Sequence, residues 1–292
     1  VPIEVAGYRR WEGRLRPPGF ACWPIVRSGV KLVLTRKIFW FLFAAGLLVF
    51  LRLFVIIYIK AQITIENPMF SRFLDRFELT GTGEAYHRFM EAQGVVTMLL
   101  LAFAGSLLIG RDYQQGGLMF YLSRPIGRRH YIVGKLVAIG SVVLLITTLP
   151  ALMLYFEYGV FSNSLSYFRD NPRILAGILG YGSVMAVTLS LLLAAIASWI
   201  PRTVPLVMSW SCIFVLLPIL SDVMEHVSDN RHWLLLNLWR DLQLLGRWCF
   251  GSMRPQRSDG DLIGWASWIV LGVCIASALA FLRRVRAVEV VR

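Results

Sequence analysis

Four histidines, His87, His130, His226 and His232, are too scattered to form HExxH or any other recognised metal-ligand spacing. Four cysteines, Cys22, Cys212, Cys249 and Cys274, show no CxxC pairing, so neither a zinc site nor a disulfide framework follows from them. No GxSxG elbow exposes a nucleophilic serine, and no Ser–His pair can be assigned. ATP chemistry would need a GxxxxGK[ST] loop, whose backbone N–H groups cradle phosphates. Gly134-Lys135 is the nearest approach, but Arg129 stands where the first glycine should be and Leu136 follows the lysine. The expectation is a chain that is not an enzyme, with no catalytic residue, no metal ligand and no cofactor of its own.

Recognition is the chemistry that remains, and it concentrates in residues 110–135: Gly-Arg-Asp-Tyr-Gln-Gln-Gly-Gly-Leu-Met-Phe-Tyr-Leu-Ser-Arg-Pro-Ile-Gly-Arg-Arg-His-Tyr-Ile-Val-Gly-Lys. Asp112 precedes Gly116-Gly117, a pair that should bend or end a helix. Leu118, Tyr121 and Leu122 then form a short apolar face. Pro125 stops that segment, because it fixes its own φ and restricts the residue before it. Arg128 and Arg129 follow, and Lys135 marks the return to an apolar run. A short, stiff, bent element with one apolar face is suited to press into a groove on a separate protein.

The elements that would hold this loop are membrane spans. The chain has 292 residues, 57% apolar and 16% charged, with a mean hydropathy of +0.63. Soluble domains carry about 45–50% apolar and about 25% charged residues. The excess sits in six blocks, 38–59, 92–110, 136–156, 174–200, 204–220 and 262–282. Blocks of roughly 20 residues cross a ~30 Å hydrocarbon core as helices. These counts exclude a soluble enzyme, a disulfide-rich secreted module and a disordered tail. The first 37 residues contain no apolar core ahead of a small-residue cleavage site, so no signal peptide is expected there.

Net charge is +13, and orientation follows from where Lys and Arg fall. With both termini inside, 18 basic residues lie on the inner side and 11 on the outer, and acidic residues divide 4 to 13. The expected topology is N-in and C-in, multi-pass, in the cell's cytoplasmic (inner) membrane. The basic excess then faces anionic headgroups and a cytoplasmic partner, with no role for nucleic acid.

Residues 20–37 read as an amphipathic interface helix. Arg27, Lys31 and Thr35 recur every four residues, opposite Ile25, Val26, Val30 and Val33. The outer segments 60–91 and 231–250 carry aromatic stripes, Phe70, Phe73 and Phe77 in one and Trp233, Trp239 and Trp248 in the other. Both suit a membrane interface, and as a pair they would form a lid. On the fourth span Gly182, Ala186, Ser190, Ala194 and Ser198 recur every four residues, a small-residue stripe for close helix packing within the chain or across a dimer. Arg52 is the one charge inside a span. It either snorkels outward or faces a pathway between helices.

The loop resembles that of the permease subunits of ABC transporters of the type-2 (ABC-2) exporter family. There the pattern runs from an acidic residue through Gly-Thr-Leu and Pro-x-Ser-Arg to Gly-Lys. Asp112, Gly116, Leu118, Pro125, Arg128 and Gly134-Lys135 match it in spacing, with Gly117 and Gly127 replacing Thr and Ser. The six-span plan, the N-terminal surface helix and the region from Leu189 through Ser198 to Arg202 are similar too. The resemblance implies an all-α, six-helix permease comprising a cytoplasmic segment 1–37, a transmembrane domain 38–282 with a coupling loop 111–135, and a basic tail 283–292. It also implies a second permease copy or homologue, and separate ABC ATPase subunits that carry ATP and Mg. The coupling residues would be Asp112, Gly116, Gly117, Leu118, Tyr121, Pro125, Arg128 and Arg129. An intramembrane enzyme and a non-transporting scaffold or channel are the alternatives.

Overall fold

Apolar runs of about twenty residues can keep their backbone paired inside a bilayer as helices. In the computed structural model of the chain all six runs are helical. The structure describes residues 22–66, 81–117, 128–161, 166–252 and 259–289. Of these 93% are helical and none lies in a strand. The chain is an all-α, multi-pass membrane protein, and its described residues include six helices long and apolar enough to cross a bilayer.

The amphipathic helix α1 (Cys22–Leu34) leads into α2 (Lys37–Glu66), the first span. The second span is α3 (Gly83–Gly105), continued by a π turn (Ser106–Gly110) and one further helical turn (Arg111–Gln114). It starts nine residues before the apolar block, because its polar first turns pair among themselves. The Thr82 hydroxyl accepts from the Ala85 N–H at 3.3 Å, and Arg88 bonds Glu84 at 2.7 Å. The third span is α4 (Arg128–Ile146) and α5 (Thr148–Phe161), broken at Thr147. Pro150 has no N–H to offer the Ile146 carbonyl one turn earlier, which accounts for the break.

A short α6 (Ser166–Asp170) precedes α7 (Pro172–Trp199), the fourth span. The fifth comprises α8 (Thr203–Ser211), a π turn (Cys212–Leu216) and α9 (Leu217–Ser228). Pro218 withholds the donor that Phe214 would take, and the register slips so that the Leu217 N–H reaches Cys212 instead. A 3-10 turn (Arg231–Leu236) and α10 (Leu238–Phe250) precede α11 (Asp259–Glu289), the sixth span.

Burial divides the spans. Most of the apolar windows of the second and fourth spans is buried (72% and 67%), against 17%, 11% and 22% for the first, fifth and sixth. The second and fourth spans therefore form the centre, with the third half inside, and the others wrap them.

Candidate functional site

Asp112 sits in the last turn of the second span and Lys135 in the second turn of α4, so the two ends of the loop carry opposite charges. The structure joins them: Lys135 Nζ lies 2.7 Å from Asp112 Oδ2, with both side chains mostly buried. The Tyr131 hydroxyl, fully buried one turn before Lys135, donates to the same oxygen at 2.9 Å. Lys135 also donates to the Leu108 carbonyl inside the π turn. One lysine thus ties the carboxylate, the irregular turn and the third span together.

Other elements converge on this end. A Cβ on Gly110 would lie 2.4 Å from the Pro201 carbonyl oxygen, so only glycine admits the link between the fourth and fifth spans so close. Gln114 Nε2 bonds that same carbonyl at 2.9 Å. Arg284, near the end of the sixth span, donates to the Ser198 carbonyl at 3.3 Å and lies over the rings of Tyr113 and Trp199. Helix α1 packs along α4, with Ile25 against Gly134 and Gly29 against Ala138. It buries Ile25, Val26, Gly29 and Val33, and leaves Arg27 and Lys31 exposed.

The loop leaves this base through Gly116, whose φ of +65° is a left-handed conformation that glycine adopts without cost. Gly117 follows, half-buried against Asp112. The chain returns with Arg128 half-buried and Arg129 exposed at the start of α4. Leu118, Tyr121 and Pro125 lie outside the described residues, as does the stripe at 70–77.

The remaining sequence candidates are dispersed. Gly182, Ala186, Ser190, Ala194 and Ser198 are all buried along α7. A Cβ on Gly182 would lie 2.0 Å from Thr148 Oγ1, which marks where the third and fourth spans cross within one chain. Arg52 is exposed on α2, a helix that buries Leu53 and Ile57 against the bundle. In the sequence Lys135 marks re-entry and completes the loop pattern but is not paired with Asp112, and Tyr131, Gln114 and Arg284 go unnoticed. The signal available was an acid closing one span and a lysine opening the next.

At the opposite end α10 departs from the interfacial reading of 231–250. Trp233 and Trp248 remain exposed, but Trp239 packs on Gly94 and Phe250 on Gly177, so the helix is wedged among the spans. His87 Nε2 lies 3.1 Å from the Gln243 carbonyl, and Gln243 Nε2 bonds Glu91 at 2.6 Å. Asp241 is fully buried, and neither carboxylate oxygen has a hydrogen-bond partner among the described residues. Burial pushes its carboxyl up to about 7. Among the described residues no group of three or more His, Cys, Asp or Glu could hold a metal ion. No protein-family model matches the chain, and a search of curated proteins finds no match either.

Proposed function

We propose that the chain is the membrane-spanning permease subunit of an ATP-driven ABC transporter of the type-2 exporter plan. It would pair with a second copy or a homologue and dock separate ATP-hydrolysing subunits at its basic end. That end is then cytoplasmic, with both termini on the same side of the inner membrane. The carrying observation is the Asp112–Lys135–Tyr131 lock at the root of the 115–127 loop.

A push on the loop reaches both flanking spans at once, because Lys135 holds them as one body. Through Gln114 and Pro201 it reaches the link between the fourth and fifth spans, and through Gly134 and Ile25 it reaches α1. The same lysine holds the π turn of the second span through Leu108, so this break in helical regularity moves with the loop base. ATP and its Mg ion belong to the partner, and this chain supplies the docking surface and the transmission.

Purification of the tagged chain from native membranes in mild detergent, with mass spectrometry of what accompanies it, tests this reading. The expected result is a stoichiometric P-loop ATPase whose recovery falls sharply with Arg128→Glu. Reproducible absence of any ATPase from a folded, intact chain contradicts it.

A further inference from the structure

At the end opposite the loop base, a polar cavity of about 320 Å³ lies between α9 and α10. Asp222 of α9 borders it, together with Asn237, Trp239, Arg240, Gln243 and Arg247 of α10 and its cap. Arg240, Gln243 and Arg247 stand at i, i+3 and i+7, so they share one face of the helix. Leu238 and Leu242 are buried on the other. Asn237 Oδ1 accepts from the Arg240 N–H at 3.1 Å, which fixes the first turn of that face.

Two elements set the depth of the cavity. Gln243 Nε2 bonds Glu91 at 2.6 Å, and the apolar block of the second span begins at the next residue. Asp222 comes two residues after the apolar block of the fifth span ends. The cavity therefore lies where hydrocarbon gives way to headgroups. Trp239 also packs on Gly94, just inside the apolar block, the depth that tryptophan rings favour.

Opposite charges meet here without cancelling in pairs. Asp222 and Arg240 border the same space, yet neither is in an ion pair among the described residues. Arg247 lies near Glu91, so a second cation and a second anion adjoin the first. A guanidinium offers a fork of N–H donors that fits phosphate, whereas a carboxylate only accepts. A simple anion would gain from Arg240 and lose to Asp222. A group that carries phosphate and ammonium together satisfies both, and the volume is enough for it. At the rim Asp222 is exposed beside Ile219, Leu220 and Val223, exposed apolar side chains of a peripheral span. Hydrocarbon chains attached to the bound group have a surface to lie on there, which a water-soluble zwitterion would leave unused.

We propose that the cavity binds the headgroup of a phospholipid that carries a primary amine. The phosphate accepts from Arg240, with Arg247 adding attraction two turns along, and the ammonium donates to Asp222. The acyl chains pass Ile219 and Val223 into the bilayer. The assignment involves no ATPase and holds for either orientation of the chain, so it stands or fails apart from the permease reading.

The test uses the full chain in detergent, stripped of lipid, with native mass spectrometry to count bound molecules. The probes are short-chain phosphatidylethanolamine, phosphatidylglycerol and diacylglycerol, and glycerophosphoethanolamine, the same headgroup without acyl chains. The expected result is one phosphatidylethanolamine per chain, held about fivefold tighter than phosphatidylglycerol and tighter still than the other two. Asp222→Asn should erase the preference for the amine, and Arg240→Gln should weaken both phospholipids about tenfold. Thermal unfolding confirms that each variant is folded, and the comparison of probes on the unaltered chain holds even if one is not. Equal binding of the two phospholipids overturns the proposal, as does a preference that both variants retain. Glycerophosphoethanolamine binding as tightly as the lipid would make this a site for a soluble zwitterion and overturn the lipid assignment. No saturable binding, the result expected of a water-filled cavity, overturns it as well.

Discussion

Lys135 and Asp112 meet where little water reaches either of them, so each depends on the other more than a surface pair would. Both ions lost hydration on folding, which keeps the net contribution of the pair modest, but removing one partner strands the other at a cost of about 3–5 kcal/mol. Lys135→Met is therefore expected to lower the Tm markedly, and adding Asp112→Asn should recover most of the loss. Thermal unfolding of the two variants beside the parent checks this. Asp241 gives a different signature. Its carboxyl releases a proton near 3.8 in the unfolded chain and near 7 in the folded one. Stability from this group is therefore full below about pH 4 and is lost as pH rises through about 7. Asp241→Asn should flatten the Tm against pH between those limits. An unchanged pH slope in the variant would show that Asp241 is not the group responsible.

Helices α5 and α7 approach so closely at Thr148 and Gly182 that a methyl group at Gly182 would fall 2.0 Å from Thr148 Oγ1. Gly182→Ala should destabilise by about 1–3 kcal/mol through overpacking, and Thr148→Ala in the same chain should relieve part of it. A double-mutant cycle in detergent measures that coupling. The small-residue stripe was readable because its four-residue period survives in the sequence, and so were all six spans, whose apolar blocks are long and carry a single charge, Arg52, between them. Other features depend on partners far along the chain. Trp239 reads as an interface anchor until Gly94, remote in sequence, opens a slot for it. Pro218 announces a disturbance in the fifth span, yet whether the helix kinks or slips into a π turn is decided by packing. The loop motif was legible as a pattern, whereas the closure of its base by Lys135 needs the register of two helices at once.

The bundle has its second and fourth spans inside and three spans on the periphery that expose apolar faces, including Phe41 and Leu48 on the first and Val204 and Met208 on the fifth. At one end α1, the loop base, Arg202 and Arg284 come together, and with the basic excess of the connecting segments this makes that end the cytoplasmic one in our proposal. In a chain freed of its native cysteines, cysteine placed at Arg27 or Arg202 should react with an impermeant thiol reagent after the cells are opened. Cysteine placed at Asp229 should react in intact cells, and the reverse pattern would invert the topology. In our proposal the loop is the docking surface for the ATPase. Its most direct test is a photoreactive amino acid at Tyr121, irradiated in native membranes, with the same group at Val227 as the control from the opposite end. Tyr121 is expected to cross-link to a polypeptide bearing GxxxxGK[ST], and Val227 is not. Cross-links from Tyr121 to lipid alone, or to no ATPase, would contradict it.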